Sequence, residues 1–226
     1  MPRKQAKDGT LLWQTPVARL AFPALFKPKQ RDVAKRPDYS ATLLFEKATF
    51  LDKVEHEVAV ELLKEKAKVT FGDTIPLPLR EEIKRQYSDI GTETGQIRVF
   101  RDGDYKLQPE SGELYEGFAG HIYMTARTSI APSIRDEHGN PLVGGEADLY
   151  AGCFVRAILI PWANVPKQKG HKYSVKFILS AIQKVADGER LGGKFADYSE
   201  FLTSVESTPD LPADGTGRYS PEDLGY

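Results

Sequence analysis

Cations and aromatic rings recur together on stretches whose alternation marks them as strands. In residues 120–128 (GHIYMTART), Tyr123 and Arg127 share the polar face with His121 and Thr125, opposite Ile122, Met124 and Ala126. Arg156 interrupts the otherwise apolar run 152–160 (GCFVRAILI), and Trp162 follows Pro161 in what reads as a loop. The basic loop 167–172 (KQKGHK) supplies Lys169 and Lys172, and the next strand, 172–180 (KYSVKFILS), adds Tyr173 and a solvent-facing Lys176. Nearer the N-terminus, Lys27, Lys29, Arg31, Lys35 and Arg36 surround Phe26 and precede Tyr39. Such a set suits a single-stranded nucleic acid: cations run along the phosphates and aromatic faces stack the bases, each stacked base contributing about 1–3 kcal/mol. Several phosphate contacts would make the binding salt-sensitive.

Other chemistry has thinner support. His56, His121, His138 and His171 are dispersed without the H-x-x-x-H or H-E-x-x-H spacing of a metal site. Cys153 lies in an apolar stretch and reads as a buried small hydrophobe, not a nucleophile. Neither G-x-S-x-G nor G-x-x-x-x-G-K-[ST] occurs, and the pairs Gly144-Gly145 and Gly192-Gly193 lack the strand-to-helix setting of a phosphate loop. Asp102 and Asp104 flank Gly103 as a nuclease's metal ligands could, but two acids around a glycine are more simply a turn, and no second acidic cluster follows a strand. The expectation is a binding protein, not an enzyme, with no cofactor and no metal.

The charge sharpens that expectation. The 226 residues carry 31 Lys+Arg and 32 Asp+Glu, a formal net charge of −1. That near-neutrality is an average: residues 195–226 carry −6, residues 1–194 carry +5, and the first 36 alone carry +7. No apolar run approaches the ~20 residues of a membrane span. The N-terminal MPRKQAKDGT lacks the apolar core of a secretory signal, and a single cysteine cannot form an internal disulfide. A cytoplasmic setting follows.

The elements that must position these side chains are mostly strands. Residues 17–22 (VARLAF) alternate up to Pro23, and 39–45 (YSATLLF) follow the turn-like Arg36-Pro37-Asp38. With 120–128, 152–160 (apolar enough to be covered on both faces) and 172–180 they make about five strands. One helix stands out over 50–68, where Leu51, Val54, Val58 and Leu62 fall on one stripe, and a shorter one fits 79–87 after Pro78. Five strands, turns and a helix near the middle fit a small open or closed barrel better than a doubly wound sheet. Residues 1–14 read as a flexible basic N-terminus, 15–202 as the domain, and 203–226 as a disordered acidic tail, poor in apolar surface to bury. The tail's finish, Leu224-Gly225-Tyr226 after Glu222-Asp223, suits a docking peptide.

The sequence resembles the phage single-stranded DNA-binding proteins of the replication-associated OB-fold type. The resemblance is carried by RLAFPALFKP (19–28), YSATLLF (39–45) followed by a lysine two residues on, FRDGD (100–104), EGFAG (116–120) leading into HIYMTAR, LYAGCFVR (149–156) and IQKVADGERLGG (182–193). In order, these cover about residues 15–195. The resemblance implies a mainly β, OB-fold-like five-stranded barrel with an inserted helix. It also implies sequence-nonspecific binding of single-stranded DNA, and an acidic tail ending in an aromatic that recruits replication or recombination proteins and competes with DNA for the groove. Strand annealing and a homodimer are both compatible with it. The expected DNA-binding set is then Arg19, Lys27, Lys29, Arg101, Tyr123, Arg127, Arg156, Trp162, Lys169, Lys172, Tyr173 and Lys176, with Glu222, Asp223, Leu224 and Tyr226 as the docking end. An adaptor that uses the same barrel for protein partners, without nucleic acid, is the alternative.

Overall fold

The computed structural model describes residues 3–6, 8–31, 33, 36–52, 55–88, 99–164 and 174–192. Among them nine strands form one sheet: β1 (Arg3–Gln5), β2 (Leu11–Gln14), β3 (Ala18–Lys29), β4 (Asp38–Glu46), β5 (Arg101–Asp102), β6 (His121–Thr128), β7 (Ser133–Arg135), β8 (Phe154–Asn164) and β9 (Ser174–Ala186). Helices α1 (Lys47–Asp52), α2 (Glu55–Phe71) and α3 (Leu77–Ser88) follow β4. The strand order β8-β3-β4-β6-β9 returns on itself because β8 pairs with β9 as well as with β3. Five strands therefore close a ring, an OB-fold-like barrel in a mainly β chain.

The ring is uneven. β4 and β6 run antiparallel in unbroken register from Tyr39↔Thr128 to Glu46↔His121, and β8 and β9 pair along almost their whole length. β6 and β9 run parallel and meet at one pair only, Arg127↔Ile178. The barrel is thinnest at that seam.

Period-two alternation fixes what the barrel encloses. On β6, Ile122, Met124 and Ala126 point inward as the sequence suggests, and on β9 Val175, Phe177 and Leu179 do the same. Aromatic rings fill the centre, with Trp13 5.0 Å from Phe177 and Phe45 stacked on Phe50 at 4.6 Å. Helices α2 and α3 add Ala59, Val60, Leu62, Leu63, Leu79 and Ile83 to the same core. On the outer side of the sheet a second cluster forms where Phe118 packs on Ala21, Leu44 and Tyr123.

Several expectations need correction. The N-terminal stretch read as flexible carries β1 and β2, paired to each other, and Trp13 on β2 is fully buried. Pro23 does not stop the first strand. β3 runs through it to Lys29, with one extra residue between the pairs Ala21↔Thr42 and Ala24↔Ser40. A proline has no N–H to give the ladder, and a bulge is where that loss costs least. The single helix over 50–68 is α1 and α2. Of the stripe read, Leu62 is buried and Val58 packs half-buried on the core, Leu51 is 42% exposed and Val54 lies outside the described residues, while Ala59, Leu63 and Ala67 are buried beside them. β8 is covered on one face only, since Phe154, Arg156 and Trp162 face outward, and it continues through Pro161 to Asn164, so Trp162 sits on a strand and not in a loop. No described helix is long and apolar enough to cross a membrane. Residues 193–226, including the acidic segment, lie outside the described residues.

Candidate nucleic-acid interface

The outer face of β4 and β6 forms the floor of a cleft. Cross-strand register places Ser40 opposite Arg127, Thr42 opposite Thr125 and Leu44 opposite Tyr123. Thr42 and Thr125 join hydroxyls at 2.9 Å, so the floor's centre is polar and short-chained. A space of about 720 Å³ opens over the weak β6–β9 seam, between Arg101, Arg127, Ile130 and Lys176. A second, of about 310 Å³, continues over β4 and β3 between Phe22, Arg31, Lys106 and Tyr115. Both are lined by Arg101, Tyr123, Thr125 and Arg127, which makes them parts of one groove.

Cations come to this groove from separate elements. Arg127 stands on the outer face of β6, and Arg101 on β5 is held beside it by the pair Arg101↔Tyr123. Lys176 faces outward from β9, opposite Trp162 on β8. Arg31 and Lys106 reach in from the connections after β3 and β5. Positive charge along a groove that can follow a phosphate backbone is the arrangement single-strand binding requires.

The aromatic side is built around Phe22. It is the extra residue of the β3 bulge, held at φ 45°, and the residue is 48% exposed. A bulky residue in the left-handed region costs roughly 1–2 kcal/mol, and such strain collects at functional positions. The conformation turns the ring outward, 5.1 Å from Tyr115 in an edge-to-face contact and 5.6 Å from Phe118. Lys106 Nζ lies 5.1 Å from the centre of the Tyr115 ring. A cation beside two partly open rings can take a phosphate and a base together.

The structure sorts the expected residues. Arg101, Tyr123, Arg127 and Lys176 line the groove. Tyr123 is only 7% exposed and meets Phe118 edge-on at 5.2 Å, so it braces the wall and does not present a free stacking face. Trp162 is 43% exposed, with Lys66 Nζ 5.7 Å from its ring centre, at the strand pair that carries Lys176. Arg156 faces outward on β8 opposite Gln183, away from the groove lining. Arg19 donates from Nη2 to the Glu189 carbonyl at 2.7 Å, which ties β3 to the loop after β9. Lys27 and Lys29 are exposed near the far end of β3 and do not line the groove. Lys169, Lys172, Tyr173 and the tail residues Glu222, Asp223, Leu224 and Tyr226 lie outside the described residues.

The sequence pattern does not single out Phe22, Lys106 or Tyr115, and Arg31 stands in it only as one of several bases around Phe26. Phe22 stood inside the matching stretch RLAFPALFKP, and an aromatic before a mid-strand proline was the one available sign. Lys106 and Tyr115 belong to a connection that folds over the sheet, and no periodicity reports that.

Asp102 and Asp104 have structural work. Lys47 is ion-paired with Asp102 and lies 3.0 Å from Asp104, while Asp104 also accepts from the Gly120 N–H at 2.6 Å. The Gly120 N–H first, and then Lys47, hold the Asp104 carboxyl below the usual carboxylate range, and the bond to Asp102 pushes the Lys47 ammonium up. Asp102 further accepts from the Asp104 N–H at 3.0 Å, capping the short 3-10 turn Gly103–Tyr105. The pair is a turn fastened to the start of α1. Among the described residues no three His, Cys, Asp or Glu side chains converge as metal ligands would.

Fold and groove are those of an OB-fold-like barrel with a cationic face lined by aromatic rings. The model of the ssDNA-binding protein of Enterobacter phage Enc34 matches residues 13–211, and the chain belongs to that family. Putative protein p50 of Acyrthosiphon pisum secondary endosymbiont phage 1 is 28% identical over 184 residues, which is 81% of this chain and 88% of p50. The single-stranded DNA-binding protein of bacteriophage Enc34, solved in complex with ssDNA, superposes with a TM-score of 0.59 at 20% identity, over 84% of this chain and 94% of that one. A C-terminal truncation of the same Enc34 protein gives 0.55 at 21% identity, over 84% and 97%. At such identity these structures speak for the fold.

Proposed function

We propose that this chain binds single-stranded DNA without sequence preference, in phage DNA replication or recombination within the host cell cytoplasm. The observation that carries the reading is one groove in which five cations, Arg31, Arg101, Lys106, Arg127 and Lys176, meet the exposed ring of Phe22 and the half-buried ring of Tyr115. Family membership and the ssDNA-bound Enc34 structure support it. The strand enters over Phe22 and Tyr115, crosses Thr42 and Thr125, and leaves past Arg127 toward Lys176 and Trp162. Stacking and phosphate neutralisation read no base edge, hence the lack of sequence preference. The role is binding and not catalysis, because the one acidic pair that suggested a nuclease is spent on fastening a turn.

The acidic end, finishing in Glu222, Asp223, Leu224 and Tyr226, recruits replication or recombination proteins and competes with DNA for the groove. Deleting residues 203–226 removes most of the negative charge of the last 32 residues. Titration with oligo(dT) at low salt should then show affinity rising several-fold, with the difference shrinking as salt screens the tail. Unchanged DNA affinity together with loss of a captured protein partner would favour an adaptor instead.

A further inference from the structure

Not every cation in the groove is open to a ligand. Asp38, the first residue of β4, sits among the groove residues, and two arginines from different elements close on it. Arg31 is ion-paired with Asp38 Oδ1, and Arg127 Nη1 lies 3.7 Å from Oδ2. Arg31 also donates to Ser40 Oγ at 2.5 Å, which orients its guanidinium toward the floor. The Asp38 side chain is 27% exposed, so solvent and ligand reach the cluster. An acceptor-only group held by two guanidiniums occupies the place, and has the charge sign, that a backbone phosphate would take.

We propose that Asp38 is an internal competitor for a phosphate subsite made by Arg31 and Arg127, with the buried Ser40 hydroxyl holding Arg31 in place. This rests on reading the groove as the ssDNA interface. When the strand binds, a phosphate takes the two arginines from Asp38, so ion pairs are exchanged and not simply added. The displaced carboxylate stays beside the phosphate and repels it. Asp38 thereby keeps affinity below what five cations would give and speeds release, which suits a coat that other machinery must strip from DNA. The acid is local to the groove and independent of the C-terminal segment.

Asp38→Asn keeps the size of the side chain and an oxygen acceptor but removes the charge. In the full chain, this variant should bind oligo(dT) three- to tenfold tighter at low salt, chiefly through slower dissociation. The plot of log K against log salt should steepen by about 0.7–1.4, the equivalent of one or two further phosphate contacts on a single strand. Arg127→Gln should cost more affinity in the Asp38→Asn background than in the unsubstituted chain. Asp38→Ser gives the same reading should the Asn variant not fold. Equal or weaker binding by both variants, with an unchanged salt slope, overturns the competitor and makes Asp38 a brace for the arginines. Failure of the unsubstituted chain to bind oligo(dT) at low salt removes the groove reading as well, so the two failures are told apart.

Discussion

Phe22→Ala should weaken ssDNA binding by about 1–3 kcal/mol, the range observed when a stacking aromatic is truncated. Tyr115→Leu, which keeps apolar packing but removes the aromatic face, should lose a comparable amount. Phe22 holds a φ of 45° in a bulge, a conformation that a phenylalanine adopts only under constraint, and it lines the groove with nearly half of the residue exposed. A residue serving the core would have no reason to be held that way. Phe22→Gly separates binding from folding: glycine accepts this φ freely, and the strain released offsets much of the lost ring packing on Tyr115 and Phe118. That variant should melt close to the unsubstituted chain and still bind as weakly as Phe22→Ala. Isothermal titration or fluorescence anisotropy with oligo(dT), paired with thermal unfolding, checks both. Full affinity in Phe22→Gly would remove the stacking role.

The largest effect on folding should come from Gly152→Ala. Gly152 has φ 115°, and a Cβ there would lie 2.0 Å from the Glu189 carbonyl oxygen and 3.0 Å from the Arg190 Cα. The nearest atoms are all backbone of Glu189 and Arg190, so no side chain can swing aside to give relief. The Gly152 N–H donates to the Leu20 carbonyl at 2.8 Å, the Leu20 N–H to the Cys153 carbonyl at 2.8 Å, and the Leu191 N–H to the Ala151 carbonyl at 2.9 Å. Any shift that clears the methyl therefore pulls on β3, on the entry to β8 and on the loop after β9 at once. Together these should cost about 3–4 kcal/mol, as steric strain in a forbidden backbone region adds to loss of buried hydrogen bonds. In a domain of this size that lowers Tm by roughly 6–16 °C. Gly139→Ala is the control: its φ of 86° is equally left-handed, but nothing lies within 4 Å of the added Cβ. It should cost only about 1 kcal/mol. Equal melting of the two variants would show that the close approach at Gly152 is not what holds the three segments together.

The strands were legible because half-buried strands write their burial into the sequence every second residue. Ile122, Met124 and Ala126 against Tyr123, Thr125 and Arg127 gave β6 its faces, and with them Arg127 its place in the groove. The resemblance supplied the closure of the ring, which alternation alone left as an open or closed barrel. What escaped was produced by non-local packing. Pro23 and Pro161 both read as strand ends, yet β3 and β8 run through them, at a bulge in one case and next to the outward-facing Trp162 in the other. The helix stripe was only partly legible: Val58 and Leu62 face the core as read, but in a charged stretch with few large apolar residues Ala59 and Ala67 bury where Leu51 does not. Lys106 and Tyr115 enter the groove only because the connection between β5 and β6 folds onto the outer face through Phe118. The split between a basic body and an acidic end was legible from counting alone, whereas the pairing of Asp38 with two arginines was visible only in three dimensions.

In the proposed complex, single-stranded DNA lies across the outer face of β4 and β6, between the Phe22–Tyr115 pair and Trp162. Ultraviolet cross-linking of the full chain to oligo(dT), mapped by mass spectrometry of the digested adduct, tests it at the residue level. Adducts should fall on Phe22 and Tyr115, with Trp162 following on longer oligonucleotides, and should vanish at salt high enough to release the DNA. Adducts confined to α2, α3 or the β1–β2 hairpin, or none under conditions where the DNA is bound, would contradict it.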